Sequence, residues 1–156
     1  MKVIVDANIV FSGILNSNGK IGDLLLNSGR LIDFIAPLFL KTEIQKHHPR
    51  ICKISGLTHH KVKEAETQIY SHIRFISEEQ IKPQLWIIAE KLVSDIDPND
   101  THYIAYSKHF RSKIWSGDKA LMKGLFQKGF TNFFSTDELF LWREKQKSFS
   151  KISKRD

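Results

Sequence analysis

The chain opens with a short apolar run that ends on an acid. Val3, Ile4 and Val5 are all β-branched and do not alternate with polar residues. That pattern is typical of a strand covered on both faces, as strands are in parallel sheets with helices on each side. Asp6 follows directly, where the carboxyl end of the strand would lie. This opening therefore favours an α/β fold with a charged group at one edge of its sheet.

Short apolar runs and helix-like segments alternate along the rest of the chain. The further predicted strands are 31–36, 75–76, 113–115 and 133–134. The predicted helices are 9–14, 21–27, 38–47, 59–72, 83–93, 101–108, 119–127 and a last one ending near Trp142. This alternation predicts a three-layer α/β/α sandwich around a central, mostly parallel sheet. We expect one domain over 1–144, followed by a basic, flexible tail over 145–156.

Composition narrows the classes of protein further. The 156 residues fit one domain, and 24 Lys and Arg against 17 Asp and Glu give a net charge of +7. This surplus favours polyanionic partners, although solubility alone would explain it equally well. Cys52 is the only cysteine, which excludes an internal disulfide and favours a cytoplasmic protein. No apolar run is long enough to span a bilayer, so we expect no membrane partner.

Four acids occupy positions that could bring them together. Asp6 and Asp118 each follow a predicted strand, Asp100 begins a helix, and Glu43 lies within one. Taken singly, the aspartates could be helix caps and Glu43 a solvated side chain. Because ligands of open α/β sheets bind outside the carboxyl ends of the strands, we expect the set to form a cluster there.

Five segments that contain or flank these acids resemble the PIN-domain family of metal-dependent nucleases, which includes the VapC toxins. They are Val-Ile-Val-Asp-Ala-Asn-Ile-Val-Phe-Ser-Gly at 3–13, Lys-Thr-Glu-Ile at 41–44, Asp-Pro-Asn-Asp-Thr-His-Tyr-Ile-Ala at 97–105, Trp-Ser-Gly-Asp-Lys-Ala-Leu at 115–121 and Phe-Phe-Ser-Thr-Asp-Glu-Leu at 133–139. The resemblance extends from Lys2 to about Trp142. Asn8 stands where many members carry Thr or Ser, and Asn99 replaces an acid, but neither change removes a main metal ligand.

The resemblance implies an endoribonuclease that hydrolyses RNA with one or two Mg²⁺ or Mn²⁺ ions. The implied catalytic residues and metal ligands are Asp6, Glu43, Asp100 and Asp118, with Asp97 supporting the Asp100 loop or serving as an outer ligand. Clustered carboxylates repel one another, and divalent cations that prefer oxygen ligands relieve that repulsion. Hydrogen bonds that would hold these carboxylates in place are assigned to Asn8, Ser12 and Ser116, which could equally form local caps and turn bonds. RNA phosphate contacts are assigned to Lys41, Lys46, Lys119 and Lys123, each of which could instead be a solvated lysine.

The histidine pairs 47–48 and 59–60 raise the question of a zinc site. We expect them to have no partner cysteine, their spacing does not follow a regular zinc-ligand pattern, and they do not accompany the acids. We therefore predict that these four histidines are surface residues.

Several alternatives stay open at this point. The nuclease could be the toxin of a toxin–antitoxin pair with a protein antitoxin, or an unpaired RNA-processing enzyme, and it could form a homodimer. A catalytically silent RNA-binding module with the same fold is a further alternative. A haloacid-dehalogenase-like phosphatase would need an acid at Asn8, and a nucleotide-binding Rossmann enzyme would need a glycine-rich loop after the first strand.

Overall fold

A computed structural model describes residues 1–155 of the chain. At its centre lies a sheet of five strands in the order β3-β2-β1-β4-β5, and every neighbouring pair is parallel. The strands are β1 (Lys2–Val5), β2 (Asp33–Pro37), β3 (Ile73–Ile76), β4 (Ile114–Trp115) and β5 (Phe133–Phe134). The prediction of a central parallel sheet is confirmed.

Nine helices surround the sheet within residues 1–155. They are α1 (Ala7–Leu15), α2 (Lys20–Asn27), α3 (Phe39–Lys46), α4 (His48–Ser55), α5 (His59–Tyr70), α6 (Pro83–Val93), α7 (Thr101–Phe110), α8 (Lys119–Phe126) and α9 (Thr136–Ser153). The chain moves from β1 outward to β3, then returns across the sheet to β4 and β5. Right-handed crossovers place α1 to α5 on one face and α6 to α8 on the other, which is the predicted α/β/α sandwich.

The central strand is fully covered, as its β-branched sequence predicted. Val3, Ile4 and Val5 are completely buried, and Trp115 on the neighbouring strand β4 is buried as well. Val5 pairs with Trp115, so β1 and β4 end side by side. The strand order reverses between these two strands, and the crevice at such a switch point is where parallel sheets bind ligands.

Two helices differ from the sequence prediction. Pro49 was expected to help end a helix, but it also lies in the first turn of α4, a helix that the sequence did not predict. Proline suits that position because its missing N–H has no intrahelical partner there. The last helix was expected to end near Trp142, yet α9 continues to Ser153. Residues 145–153 are therefore helical where a flexible tail was predicted, and the domain boundary at 144 stays a prediction.

None of the helices found among residues 1–155 is long and apolar enough to cross a membrane.

Candidate active site

Asp6 lies at the carboxyl end of β1 and begins helix α1. Its side chain accepts a hydrogen bond of 2.9 Å from the Ile9 N–H, which caps the helix. The residue is only 4% exposed, although its neighbours include other acids. Burial raises the pKa of Asp6 to about 6, and the charges of Asp118 and Glu43 add to the rise, while hydrogen bonds from Ser116 and Ile9 oppose it. The carboxylate is thus costly to ionise without a cation nearby.

Asp118 lies beyond the end of β4, next to β1. Its carboxylate caps helix α8 by accepting a 2.9 Å hydrogen bond from the Leu121 N–H. The fully buried Ser116 hydroxyl accepts a 3.1 Å hydrogen bond from the Asp118 N–H. The same hydroxyl also lowers the pKa of Asp6, so Ser116 lies beside both acids and fixes the turn that carries Asp118.

Asp100 ends the 3-10 turn Pro98–Asp100 and begins helix α7. Burial raises the pKa of Asp100 to about 7, with further contributions, in decreasing order, from the charges of Asp97, Asp6, Asp118 and Glu43. Asp97 itself is exposed and caps the same turn, since its carboxylate accepts a 3.0 Å bond from the Asn99 N–H. In the absence of a cation, Asp100 would thus keep its proton up to about pH 7 and Asp6 up to about pH 6, well above the usual range of an aspartate.

The Glu43 side chain extends from helix α3 toward the three aspartates Asp6, Asp100 and Asp118. Its Oε2 accepts a 2.5 Å hydrogen bond from the hydroxyl of Tyr103, which is 2% exposed on helix α7. Burial raises the pKa of Glu43, and the Tyr103 bond opposes that rise. Burial and the Glu43 charge also hold the pKa of Tyr103 far above its usual range, so the phenol stays a hydrogen-bond donor. Tyr103 therefore fixes the orientation of the Glu43 carboxylate.

These side chains line one cleft of about 180 Å³ at the carboxyl edge of the sheet. Its lining residues are Asp6, Ala7, Asn8, Phe11, Glu43, Ile44, His47, Asp97, Asn99, Asp100, Tyr103 and Asp118. Nearly all of the ionisable side chains that could bind a metal ion here are carboxylates, which suit hard divalent cations such as Mg²⁺ or Mn²⁺. Raised pKa values at Asp6 and Asp100 fit the same group, because a cation would stabilise the ionised forms.

The sequence profile of the PIN domain family matches residues 4–146. The chain belongs to the PIN-domain family. The resemblance drawn from five sequence segments is thereby confirmed, and members of this family are generally nucleases. No curated protein sequence matches this chain.

Two solved PIN-like structures show the same fold. PAE2754 from Pyrobaculum aerophilum superposes with a TM-score of 0.67 at 7% identity, over 93% of this chain and 90% of that one. VapBC2 from Rickettsia felis, solved bound to a DNA fragment from the promoter, gives a TM-score of 0.59 at 12% identity, over 86% of this chain and 97% of that one. At such low identity the likeness concerns the fold alone.

The structure places some of the other predicted site residues at the cleft and others away from it. Asn8 and Asp97 line the cleft and Ser116 lies directly behind it, whereas Ser12 is not among the lining residues. Lys41 and Lys46 border a separate depression between α3 and α5, and the Lys41 ammonium lies 4.3 Å from the ring centroid of Phe75. Lys119 and Lys123 are exposed on α8. Their assignment to RNA stays a prediction.

Tyr103 was missed as a site residue. It follows Asp100 by three positions on α7, so helical spacing alone places both side chains on one face. Its partner Glu43 lies 60 residues earlier in the chain. Such spacing could have indicated Tyr103 as a neighbour of Asp100, but not its bond to Glu43.

The histidines also differ from the prediction. His48 is 3% exposed, so the expectation of a surface side chain is wrong for this residue, because α4 turns it inward against helix α5. His47 lines the acidic cleft, so the expectation that the histidines do not accompany the acids is wrong for this residue. Cys52 lies 3.8 Å from His48, so the expectation of no partner cysteine is wrong as well. His59 and His60 are exposed, as expected.

Proposed function

We propose that this PIN-domain chain is an endoribonuclease that depends on Mg²⁺ or Mn²⁺. The observation that supports the proposal best is the convergence of Asp6, Glu43, Asp100 and Asp118 on one cleft from four separate segments of the chain. Four carboxylates in one small cleft are hard to explain as helix caps, because Glu43 caps no helix and Asp100 makes no capping bond. We assign the four as cation ligands, with Asp97 as an outer ligand.

The residues of the cleft would have different roles in hydrolysis. Asp6 and Asp118 are held rigidly, since each also caps a helix, and they would fix a cation against the edge of the sheet. Glu43, oriented by Tyr103, would bind the cation or orient the attacking water. A bound divalent cation supplies positive charge that offsets the charge on the reacting phosphate and acidifies a water molecule. Cleavage that releases the 3′ oxygen leaves a 5′-phosphate on the second product.

RNA would approach from the open side of the cleft. The acids do not attract a polyanion, so this attraction falls to the net charge of +7. Lys46 is the best placed of the predicted phosphate contacts, because its charge acts on Glu43. Lys41, Lys119 and Lys123 are the other predicted phosphate contacts.

We further propose that this nuclease is the toxin of a toxin–antitoxin pair. The support is the similarity in fold to VapBC2 from Rickettsia felis. A cognate antitoxin would then be a protein partner, and a cytoplasmic location and a homodimer would suit this role. An RNA-processing enzyme without an antitoxin is the alternative, and co-purification of a small protein encoded beside the gene decides between the two.

An RNA cleavage assay tests the catalytic proposal. Purified protein is incubated with single-stranded and structured RNA in Mg²⁺, in Mn²⁺ and in chelator, beside the variants Asp6→Asn and Asp118→Asn. Asparagine still caps a helix, so each variant removes a charge while the helix end is kept. We expect cleavage only with metal, a loss of about a hundred-fold or more in both variants, and 5′-phosphate product ends.

Asp33→Asn is the matched control, because Asp33 begins β2 at the opposite edge of the sheet and pairs with Arg74 on the surface. It should cleave at the wild-type rate. Mn²⁺ binding by calorimetry gives a second readout, which should weaken in Asp6→Asn but not in Asp33→Asn. Cleavage that persists in chelator, or that leaves cyclic phosphate ends, would contradict the proposal. Metal binding without cleavage would instead indicate a silent RNA-binding module.

A further inference from the structure

A second group of possible metal ligands lies where helices α4 and α5 meet. His48 and Cys52 are one turn apart on α4, and His59 is the first residue of α5. One ligand atom from each lies within 4.8 Å of the other two. None of the three lines the acidic cleft, so this cluster is distinct from the candidate active site.

The distances within the cluster are close to those of a metal site. The Cys52 Sγ lies 3.8 Å from the His48 Nδ1, and the rings of His48 and His59 have centroids 4.3 Å apart. A tetrahedral zinc ion with bonds of about 2.0–2.3 Å holds its ligand atoms roughly 3.5 Å from one another. Small side-chain adjustments would therefore bring all three onto one ion.

The second ring nitrogen of His48 adds an independent observation. The side chain is 4% exposed, and its Nε2 points toward the Glu66 Oε2 at 3.8 Å, where the Glu66 side chain is 5% exposed. Neither atom has a hydrogen-bond partner among the residues that the structure describes. Buried polar atoms are rarely left unpaired. A histidine that binds metal through one nitrogen commonly donates its other N–H to a carboxylate, and this is the arrangement that His48 and Glu66 approach.

We propose that His48, Cys52 and His59 bind a Zn²⁺ ion. His48 binds through Nδ1 and Cys52 through its thiolate, and a ring nitrogen of His59 completes the set. Nitrogen and sulfur donors select zinc over the hard cations that suit the acidic cleft. His59 is exposed, so the fourth position faces solvent and holds water. Glu66 is a positioning residue that accepts the His48 Nε2–H.

Binding has two consequences for the chain. The Cys52 thiol releases its proton to solvent as the ion binds, so affinity falls as the pH is lowered. The zinc ion and thiolate together keep a net positive charge, which faces the Glu66 carboxylate; the other oxygen of Glu66 accepts a 3.4 Å hydrogen bond from the Lys63 ammonium. The ion also joins α4 to the first turn of α5 across the turn at Gly56, which has a left-handed φ of 69°. This role does not depend on the proposed nuclease activity.

Cobalt spectroscopy tests the assignment directly. Metal-free protein in a non-thiol reductant is titrated with Co²⁺, and the absorbance is followed. We expect a thiolate-to-cobalt charge-transfer band and the intense visible bands of tetrahedral Co²⁺ at one ion per chain. Cys52 is the only cysteine, so the charge-transfer band reports on this site alone, whatever binds in the acidic cleft. Zn²⁺ added afterwards should bleach both sets of bands.

Variants separate the cluster from other zinc-binding surfaces. Cys52→Ser should lose the charge-transfer band, His59→Ala should bind Zn²⁺ at least about ten-fold more weakly, and Glu66→Gln about ten- to hundred-fold more weakly. His60→Ala is the matched control, because His60 is exposed beside His59 and pairs with Glu64 instead. It should bind Zn²⁺ like the wild type. Zn²⁺ at a hundred-fold excess over its Kd should raise the Tm by about 5–10 °C.

Each contrary result overturns the proposal. Absence of the charge-transfer band would mean that His48 and Glu66 form a metal-free buried pair. Equal Zn²⁺ affinity in the wild type and Cys52→Ser would place the ion elsewhere, and one ion per two chains would replace the proposed set by a bridge between copies. The double variant Asp6→Asn and Asp118→Asn should keep the band, so this test stands apart from the outcome at the acidic cleft.

Discussion

Two effects act in opposite directions on the Asp6 carboxylate in the metal-free protein. The carboxylate must accept the Ile9 N–H to cap α1, yet it is buried beside other acids. In the unfolded chain an aspartate has a pKa of 3.8, whereas burial raises the pKa of Asp6 to about 6 in the folded protein. The folded state therefore holds this proton more tightly, and it loses stability relative to the unfolded state as the pH rises from about 4 to 6.

Replacing Asp6 by Asn should therefore stabilise the metal-free protein at neutral pH. A shift of about two pKa units corresponds to roughly 2–3 kcal/mol in the free energy of unfolding, and Asn keeps the cap. The gain should be complete above a pH of about 6 and shrink as the pH falls toward 3.8. Urea denaturation in chelator, at about pH 7 and near pH 4, measures it.

The same experiment with a saturating divalent cation is the control. Binding should stabilise the wild type more than Asp6→Asn, because the cation offsets the charge that burial makes costly. If the metal-free wild type is as stable as the variant at neutral pH, then burial does not make ionisation of the Asp6 carboxylate costly.

Sequence alone indicated the four acids that the structure brings to one cleft and Ser116 behind them, but not Tyr103, which orients Glu43. Asp6, Asp100 and Asp118 were readable because each marks the boundary of a helix or strand, and Glu43 because its segment resembles a family motif. The bond from Tyr103 to Glu43 and the contact between His48 and Glu66 were not readable, since they join residues on different helices. Such pairs depend on packing angles that no local pattern encodes.

At the scale of the elements, α9 is tied to α2 by one buried arginine. Arg143 is 1% exposed, and its guanidinium bonds both the carboxylate of Asp23, at 2.5 Å, and the Asp23 carbonyl, at 3.2 Å. Hydrogen bonds from Arg143 lower the pKa of Asp23. The last helix is thus attached to the first face of the sandwich by a charged pair as well as by Leu139, which is fully buried.

Arg143→Ala should therefore lower the free energy of unfolding by about 2–4 kcal/mol, since it removes charged hydrogen bonds and buried packing together. Lys147→Ala is the matched control, because Lys147 lies one turn later on α9 and its ion pair among residues 1–155 is a 3.7 Å surface contact with Glu144. Its effect should stay below about 0.5 kcal/mol. Urea denaturation compares the two, and equal losses would mean that Arg143 does not anchor the helix.

The elements themselves were predictable in proportion to how distinct their local signals are. Strands β1 and β4 have compact apolar sequences and were found within a residue or two. Helix α4 was not, because Pro49 is compatible with both the end of one helix and the start of the next. The extension of α9 carries few apolar residues, and only Leu139 and Arg143 of that helix are buried. No hydrophobic pattern in the sequence therefore predicts that α9 continues beyond Trp142.

At the scale of the whole molecule, the basic residues near the C-terminus contribute much of the net charge of +7. Five of them follow residue 144, namely Lys145, Lys147, Lys151, Lys154 and Arg155. Both buried residues of α9 precede that point, so a chain ending at 144 should stay folded.

A chain ending at residue 144 should bind single-stranded RNA more weakly and with less dependence on salt. The slope of log Kd against log salt should become shallower by about 0.7 for each lost residue that contacts phosphate. Fluorescence anisotropy over a salt series measures the slope, with Asp6→Asn as background to prevent cleavage. A full-length variant with the five basic residues changed to Gln separates charge from length. An unchanged slope in both would exclude this segment from RNA binding.

The order of the strands also determines when the cleft can exist. Its acids are spread from residue 6 to residue 118, and β1 must pair with β4, which lies more than a hundred residues later, before Asp6 and Asp118 meet. Contacts between segments so far apart in the sequence are slow to form. A nascent chain still emerging from the ribosome therefore carries an incomplete set of acids. Synthesis that stops before Asp118 yields a fragment that holds at most three of the four acids, so the proposed cation site cannot be complete in it.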